Sequence, residues 1–185
     1  MNILAFGASN SNKSINSRFA DWASKQVGDA DVTFVDLNDY EMPIYSVDRE
    51  KSEGVPELAE EFKQLMRDAD GILISFAEYN GSYTAAFKNI FDWVSRLEKP
   101  IWLNKPMFLL ATSPGGRGAI GVLSDALKKF PYQGAIVAGS FSLPNFKDNF
   151  NDSQGITDSA LLEEFKKQLA HFETVLRGAE VTQEA

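Results

Sequence analysis

The chain has 185 residues, 44% of them hydrophobic and 24% charged, and its 26 acidic and 18 basic residues give a formal net charge of −8. This length and composition predict one globular domain, residues 1–185, with a sizeable core. The acidic balance argues against nucleic acid or an anionic membrane as a partner. Because the chain has no cysteine, disulfides, thiolate nucleophiles and cysteine-ligated metals are excluded.

We expect neither a membrane-spanning segment nor an export signal in this sequence. No apolar run approaches the roughly 20 residues that a membrane-spanning helix needs. The first residues lead directly into a predicted strand, without the charged-then-apolar pattern of a secretion signal. We therefore expect a cytoplasmic protein without membrane insertion.

Short apolar runs alternate along the chain with longer segments of helical periodicity. The runs that predict strands are residues 2–6, 31–36, 71–76, 107–113 and 134–139. The segments that predict helices are the one after Ser14, which can cap it, and residues 58–69, 84–96, 119–129 and 161–176. A polar segment with Pro43 and Gly54 is long enough to be a working loop or flap. The alternation predicts an α/β fold with a parallel, doubly wound sheet.

Three loops of this sheet are candidates for a ligand site. In doubly wound sheets, ligands bind beyond the carboxyl ends of the strands. The loops after the first, third and fourth strands are residues 7–16, 76–87 and 112–121, and all are rich in Gly, Ser or Asn. The first of them leads into a helix, whose unpaired amides and dipole favour an anion.

The first loop nearly matches the nucleotide-binding pattern GxxxxGK[ST]. Lys13 and Ser14 fit the pattern, but Asn12 stands where the second glycine is needed. A nucleotide hydrolase or kinase, with Asp36 as the magnesium ligand, is one hypothesis for this loop. That hypothesis leaves the other two loops without a role.

Other chemistries have weaker support. Gly116, Gly118 and Gly121 spell GxGxxG, but after the fourth strand and without the acidic residue expected about 20 positions later. We interpret the glycines as making room for a flat ring. The single histidine, His171, lies in the last predicted helix without a GxSxG elbow, so we predict no catalytic side chain and no metal site. A flavin mononucleotide (FMN), which performs the chemistry itself, suits the three loops.

Residues 78–93, EYNGSYTAAFKNIFDW, resemble the NADPH-dependent FMN reductase family, flavodoxin-like proteins that include quinone, chromate and azo-dye reductases. That family carries PEYNGS, a further proline and then LKNAIDW. The matching positions are Glu78, Tyr79, Asn80, Gly81, Ser82, Lys88, Asn89, Asp92 and Trp93. The first loop is similar to the family's GSxRxxSxN through Ser9, Ser14 and Asn16, and residues 112–121 resemble its third flavin loop.

The resemblance implies a flavodoxin-like three-layer sandwich with a five-stranded parallel sheet of order 2-1-3-4-5. It implies FMN as cofactor and NADPH or NADH as co-substrate, with a hydride passing to a quinone-like or other electron-poor acceptor, or to FMN itself. It also implies a homodimer or homotetramer. The residues expected to bind the cofactor are Ser9, Ser11, Ser14, Ile15, Asn16, Glu78, Tyr79, Asn80, Gly81, Ser82, Ser113, Pro114, Gly115, Gly116, Arg117 and Gly118.

The sequence departs from the family pattern at several of these loops. Ala77 and Thr84 replace two prolines, which predicts a less rigid second loop. Ser11 replaces an arginine, which removes one strong phosphate partner and predicts weaker FMN binding, with Lys13 compensating in part. Arg117 is a candidate for the phosphates of the nicotinamide nucleotide.

Further alternatives concern the role of the whole chain. A wide apolar band on the helix over residues 84–96 predicts either a dimer contact near the flavin or a deeply buried helix. The net charge of −8 also suits an acidic flavodoxin-type electron carrier that docks to a basic partner. A third possibility is a relative that has lost FMN.

Overall fold

Five parallel strands form the centre of the protein, which a computed structural model describes over residues 1–183, with side chains described as far as residue 178. The strands are β1 (Asn2–Ala8), β2 (Asp31–Val35), β3 (Gly71–Phe76), β4 (Pro106–Thr112) and β5 (Ile136–Leu143). Their spatial order is β2-β1-β3-β4-β5, and each neighbouring pair is parallel. The predicted doubly wound sheet and its order 2-1-3-4-5 are confirmed.

Helices cover both faces of the sheet and complete three layers. They are α1 (Ile15–Ser24), α2 (Val47–Glu53), α3 (Glu57–Asp68), α4 (Ala85–Val94), α5 (Ile120–Lys129), α6 (Phe146–Asn149) and α7 (Ser159–Gln183). Side chains of α3, α4 and α5 form the core on one face, and those of α1 and α7 form the core on the other. Every residue of β3 and β4 is buried, as expected of parallel strands that are covered on both sides.

The last strand differs from the one that the sequence predicts. The prediction places it at residues 134–139, whereas β5 begins two residues later and extends to Leu143. Gly134 has a φ of 85° and ends a 3₁₀ turn, Pro131–Gln133. This left-handed conformation cannot belong to a strand, and it delays the start of β5.

The connections also contain more regular structure than the sequence predicts. The polar segment with Pro43 and Gly54 holds a 3₁₀ turn, Leu37–Tyr40, as well as the short helix α2. Two small antiparallel hairpins, at residues 78–83 and 150–156, add to the predicted elements. The first of them forms part of the candidate site.

The wide apolar band on α4 lies in the core. Phe87, Ile90, Trp93 and Val94 are all buried within one cluster, which includes side chains of α3 and α5. Burial within the chain therefore accounts for most of the band, as in the second interpretation given above.

A buried lysine predicts a specific dependence of stability on pH. The side chain of Lys63, in α3, is fully buried, and its Nζ donates a hydrogen bond to the Ile101 carbonyl at 2.7 Å. Burial lowers the pKa of Lys63 from 10.5 to about 8. Between these two values the unfolded chain binds more protons than the native protein, so the free energy of unfolding rises with pH. Below about pH 8 Lys63 is charged in the native protein as well, and the free energy of unfolding is lower than it is above pH 10.5.

We therefore expect the urea midpoint of the wild type, relative to that of Lys63→Met, to rise between about pH 8 and pH 10.5. Urea titrations of both proteins at half-unit pH intervals would measure this difference. A difference that does not change across the window would contradict the assignment.

Candidate functional site

The carboxyl ends of β1, β3 and β4 bring the three candidate loops together. Between the loops lies an open cleft of about 240 Å³. The residues that line it are Ser9, Ser11, Lys13, Ser14, Ile15, Asn16, Ala77, Glu78, Tyr79, Thr112, Ser113 and Pro114. The cleft lies beside the point where the strand order reverses, between β1 and β3, which is where ligands bind in such sheets.

Some of the predicted binding residues lie outside this lining. They are Asn80, Gly81 and Ser82 at the tip of the first hairpin, and Gly115, Gly116, Arg117 and Gly118 farther along the third loop. Conversely, Ala77 and Thr112 line the cleft without having been predicted. Both residues lie at the end of a buried strand, and this position in the sequence could have identified them as lining residues.

The start of α1 offers groups that can bind an anion. Ser14 caps the helix, since its Oγ accepts a hydrogen bond from the Ser17 amide at 3.1 Å. Within the part of the chain that the structure describes, the amides of Ile15 and Asn16 have no acceptor. Free amides at a helix start, aided by the helix dipole, are a recurrent phosphate site. The Ser14 hydroxyl hydrogen is also available to a ligand.

The side chain of Asn16, in contrast, is used by the protein itself. It is buried, and its Oδ1 accepts hydrogen bonds from the Thr112 amide at 3.1 Å and from Ser75 Oγ at 2.8 Å. Its Nδ2 donates to the Thr112 carbonyl at 3.1 Å. Asn16 therefore joins α1 to β3 and β4, and the group that it can offer to a phosphate is its backbone amide.

The second loop is a tight hairpin. Asn80 and Gly81 have φ values of 53° and 76° and form a two-residue turn between short strands, Glu78–Tyr79 and Ser82–Tyr83. Positive φ at both turn positions explains the Asn-Gly pair. Tyr79 is half exposed at the cleft. The matched motif EYNGS is thus a turn motif as well as a candidate binding loop.

Thr84 anchors the end of this hairpin in place of the family's proline. Its side chain is 1% exposed. Its Oγ1 accepts a hydrogen bond from the Phe87 amide at 3.2 Å and donates one to the Ala8 carbonyl at 2.9 Å. The hydroxyl caps α4 and ties it to the end of β1, so two hydrogen bonds fix the position that a proline ring fixes in the family pattern.

The sequence analysis interprets the glycines of the third loop as making room for a flat ring, and for Gly118 the structure gives another reason. Gly118 is buried with a φ of 56°, and an added Cβ would lie 2.3 Å from Ser142 Oγ. Ser142 Oγ also donates a hydrogen bond to the Gly118 carbonyl at 2.8 Å. Gly118 is therefore required by the packing of the chain itself rather than by a flat ring. A Cβ on Gly115 would meet no atom within 4 Å, so Gly115 can make room for a ligand.

The family-like motif on α4 also holds the flap, residues 40–45. Asn89 Oδ1 accepts a hydrogen bond from the Tyr45 amide at 2.8 Å, and its Nδ2 donates to the Met42 carbonyl at 2.9 Å. Trp93 Nε1 donates to the Pro43 carbonyl at 2.8 Å. The flap, α4 and the first loop enclose a second cavity of about 180 Å³. The matched Asn and Trp thus shape the surroundings of the site.

One cation in the first loop, at the cleft, and one in the third loop have no acidic partner in the described structure. Within the described residues, neither Lys13 nor Arg117 forms an ion pair, and both are exposed. Lys88, from the matched motif, instead pairs with Asp92 at 2.7 Å. His171 is exposed on α7. No helix in the described range is long and apolar enough to cross a membrane, and no group of three or more acidic or His side chains there is placed to hold a metal ion.

The fold and the position of the cleft define a flavodoxin-like protein, and the sequence matches a family of that class. Residues 1–148 match the family model described as NADPH-dependent FMN reductase. The chain therefore belongs to the NADPH-dependent FMN reductase family.

Individual relatives are similar over shorter stretches. A 2-hydroxy-1,4-benzoquinone reductase from Burkholderia sp. is 40% identical over 97 residues, which are 52% of this chain and 51% of that protein. A quinone reductase from Escherichia coli (strain K12) is 36% identical over 75 residues, or 40% of each chain. The matched stretches thus span about half, or less, of the length of these curated relatives.

Solved structures share the fold over nearly the whole chain. The flavoenzyme NAD(P)H:(acceptor) oxidoreductase FerB from Paracoccus denitrificans superposes with a TM-score of 0.77 at 20% identity, covering 96% of this chain and 98% of that one. The apo form of an NADH:FMN oxidoreductase, EMOB, gives 0.72 at 19% identity, covering 94% and 89%. At such identities the likeness shows the fold alone.

Proposed function

We propose that this chain is an FMN-dependent NAD(P)H oxidoreductase that passes a hydride from NADPH or NADH, through FMN, to a quinone-like or other electron-poor acceptor. The anion site at the start of α1 carries the proposal, because it opens into the cleft that all three loops line. Family membership supports the choice of FMN and of a nicotinamide co-substrate. The names of the two curated relatives support a quinone-like acceptor.

The groups at the cleft fit the phosphate of FMN. The net charge of −8 opposes an anion, so the phosphate must be held by local groups. The amides of Ile15 and Asn16, the hydroxyls of Ser11 and Ser14 and the unpaired ammonium of Lys13 supply them. Lys13 here takes the part of the arginine that Ser11 replaces.

The flavin ring is assigned to the two remaining loops. Backbone groups of the hairpin, residues 78–82, suit the polar edge of the ring, and the open position at Gly115, with Gly116 beside it, suits its face. When bound, FMN supplies hydride transfer. The chain binds and orients the two ring systems and excludes water between them. Arg117, exposed and unpaired, is assigned to the phosphates of the nicotinamide nucleotide.

We also propose that the protein works as a homodimer or homotetramer. Tyr79, at the cleft, and Ile44, at the flap, are 50% and 79% exposed. Large apolar side chains beside a ligand site suit coverage by a second copy of the chain.

Comparing two flavins tests the anion site directly. Riboflavin has the ring of FMN without the phosphate, so we expect FMN to bind at least about tenfold more tightly. Lys13→Gln should weaken the binding of FMN and leave that of riboflavin unchanged. Lys167→Gln, which removes an exposed charge on α7, is the matched control. Quenching of flavin fluorescence measures the affinity of the wild type and of both variants for each flavin.

The same samples test the activity. Adding NADPH or NADH should bleach the absorbance of the bound flavin, and a quinone should restore it. Equal affinity for both flavins would contradict the phosphate site. If the protein binds flavin but neither nucleotide bleaches it, the protein is an electron carrier and not an enzyme. A protein that binds no flavin would contradict the proposal.

A further inference from the structure

Glu78 has a role that differs from contact with a cofactor. It lies in the second loop, and its Oε2 accepts a hydrogen bond from the amide of Val122, in the first turn of α5, at 2.9 Å. The two residues are 44 positions apart in the sequence. Glu78 therefore connects the loop after β3 to the helix that follows the loop after β4.

The start of α5 lacks a cap of its own. Its N-cap residue, Ala119, makes no side-chain hydrogen bond and has a left-handed backbone, with φ at 59°. The first turn of α5 contains no acidic residue. A carboxylate at this end of a helix satisfies a free amide and interacts favourably with the helix dipole. Glu78 supplies from another loop what the local sequence omits.

Gly121 makes room for this carboxylate. A Cβ added to Gly121 would lie 2.9 Å from Glu78 Oε2 and 3.2 Å from Oε1, which is too close for the carboxylate to stay. Gly121 is the last glycine of the GxGxxG run, for which dinucleotide binding offered no explanation. Its role is to receive a side chain of this same protein.

We infer that Glu78 is a positioning residue that sets the distance between the second and third loops of the cleft. Its carboxylate packs against Gly121 and accepts a hydrogen bond from the Val122 amide. This inference rests on the proposed function for its meaning, because those loops are the two assigned to the flavin ring. The contact of the Glu78 carboxylate with Gly121 and Val122 lies within the chain itself. It can therefore be tested without any flavin.

A double-mutant cycle measures the coupling between Glu78 and Gly121. We expect Glu78→Ala to lower Tm by about 2–4 °C, the effect of one lost helix cap in a chain of this size. Gly121→Ala should lower Tm by less, because it displaces the carboxylate but also puts a better helix former in α5. In the Glu78→Ala background the same Gly121→Ala change should leave Tm unchanged or raise it, because alanine favours a helix once the space is free. Glu78→Gln keeps an acceptor oxygen and should restore most of the loss.

Two control variants make comparable changes away from the two loops. Glu163→Gln changes an exposed carboxylate of α7 that makes no hydrogen bond in the described structure. Gly28 lies in a turn, where a Cβ would meet no atom closer than 3.5 Å, so Gly28→Ala adds a methyl group that displaces nothing. Neither control should shift the amide exchange of the two loops.

Amide exchange and FMN affinity report on the effect of Glu78 at the cleft. Both single variants should speed amide hydrogen exchange in residues 78–83 and 115–122 together, and should raise the dissociation constant for FMN about fivefold or more. Additive effects on Tm, or faster exchange in one loop alone, would overturn the inference. An unchanged FMN affinity alongside a non-additive cycle would also overturn the positioning role. If the wild type binds no FMN, the proposed function fails, while the cycle and the exchange still decide whether Glu78 links the loops.

Discussion

Replacing Asn16 by alanine should remove about 3 kcal/mol or more from the free energy of unfolding. The change leaves the amide and carbonyl of Thr112 and the hydroxyl of Ser75 without their partners inside the protein. Each buried group that loses its hydrogen bond costs about 1–3 kcal/mol. Since domains unfold with only about 5–15 kcal/mol, this is a large fraction of the total.

Urea unfolding followed by circular dichroism measures the effect. Asn12→Ala is the matched control, because Asn12 lies in the same loop but is exposed and makes no side-chain hydrogen bond in the described structure. Its replacement should change stability by no more than about 0.5 kcal/mol. If Asn16→Ala lost under 1 kcal/mol, the three hydrogen bonds would not hold α1 to the sheet as the geometry indicates.

Local patterns in the sequence were sufficient to predict the framework of the site. The apolar runs placed β1, β3 and β4, and the rule for parallel sheets then placed the three loops at one edge. Ser14 was identifiable as a cap because a helix cap acts on amides within three residues. Each of these predictions depends on neighbours in the chain or on a rule of topology.

The roles that the sequence did not reveal depend on partners far along the chain. Asn16 bonds to a residue 96 positions away, Thr84 to one 76 positions away and Glu78 to one 44 positions away. An Asn or Thr beside a candidate phosphate site has the same local sequence whether its side chain faces a ligand or the sheet. Only the packing of strands and helices decides between them. The requirement for Gly118 follows likewise from Ser142, which belongs to β5.

The third loop therefore contains glycines of two kinds, and valine should lower the stability of the protein at Gly118 but the affinity for FMN at Gly115. At Gly118, valine must adopt a positive φ and its Cβ would collide with Ser142 Oγ at 2.3 Å and with the Leu143 backbone at 3.0 Å. A β-branched residue is a severe outlier at such a φ, and collision with backbone allows little relief. We expect a loss of about 3 kcal/mol or more in the free energy of unfolding.

At Gly115 the chain leaves the space around the Cβ empty, so valine should change stability by less than about 0.5 kcal/mol. The valine side chain would occupy the position that we propose for the face of the flavin ring. It should therefore raise the dissociation constant for FMN at least about tenfold. Urea unfolding and flavin titration of both variants separate the two effects. A Gly115→Val protein with unchanged stability and unchanged FMN affinity would show that the ring does not lie on this loop, because no packing defect would then obscure the result. Weakened binding without weakened folding would locate the ring at the loop, since steric exclusion of the ligand would be the only change that the variant introduces.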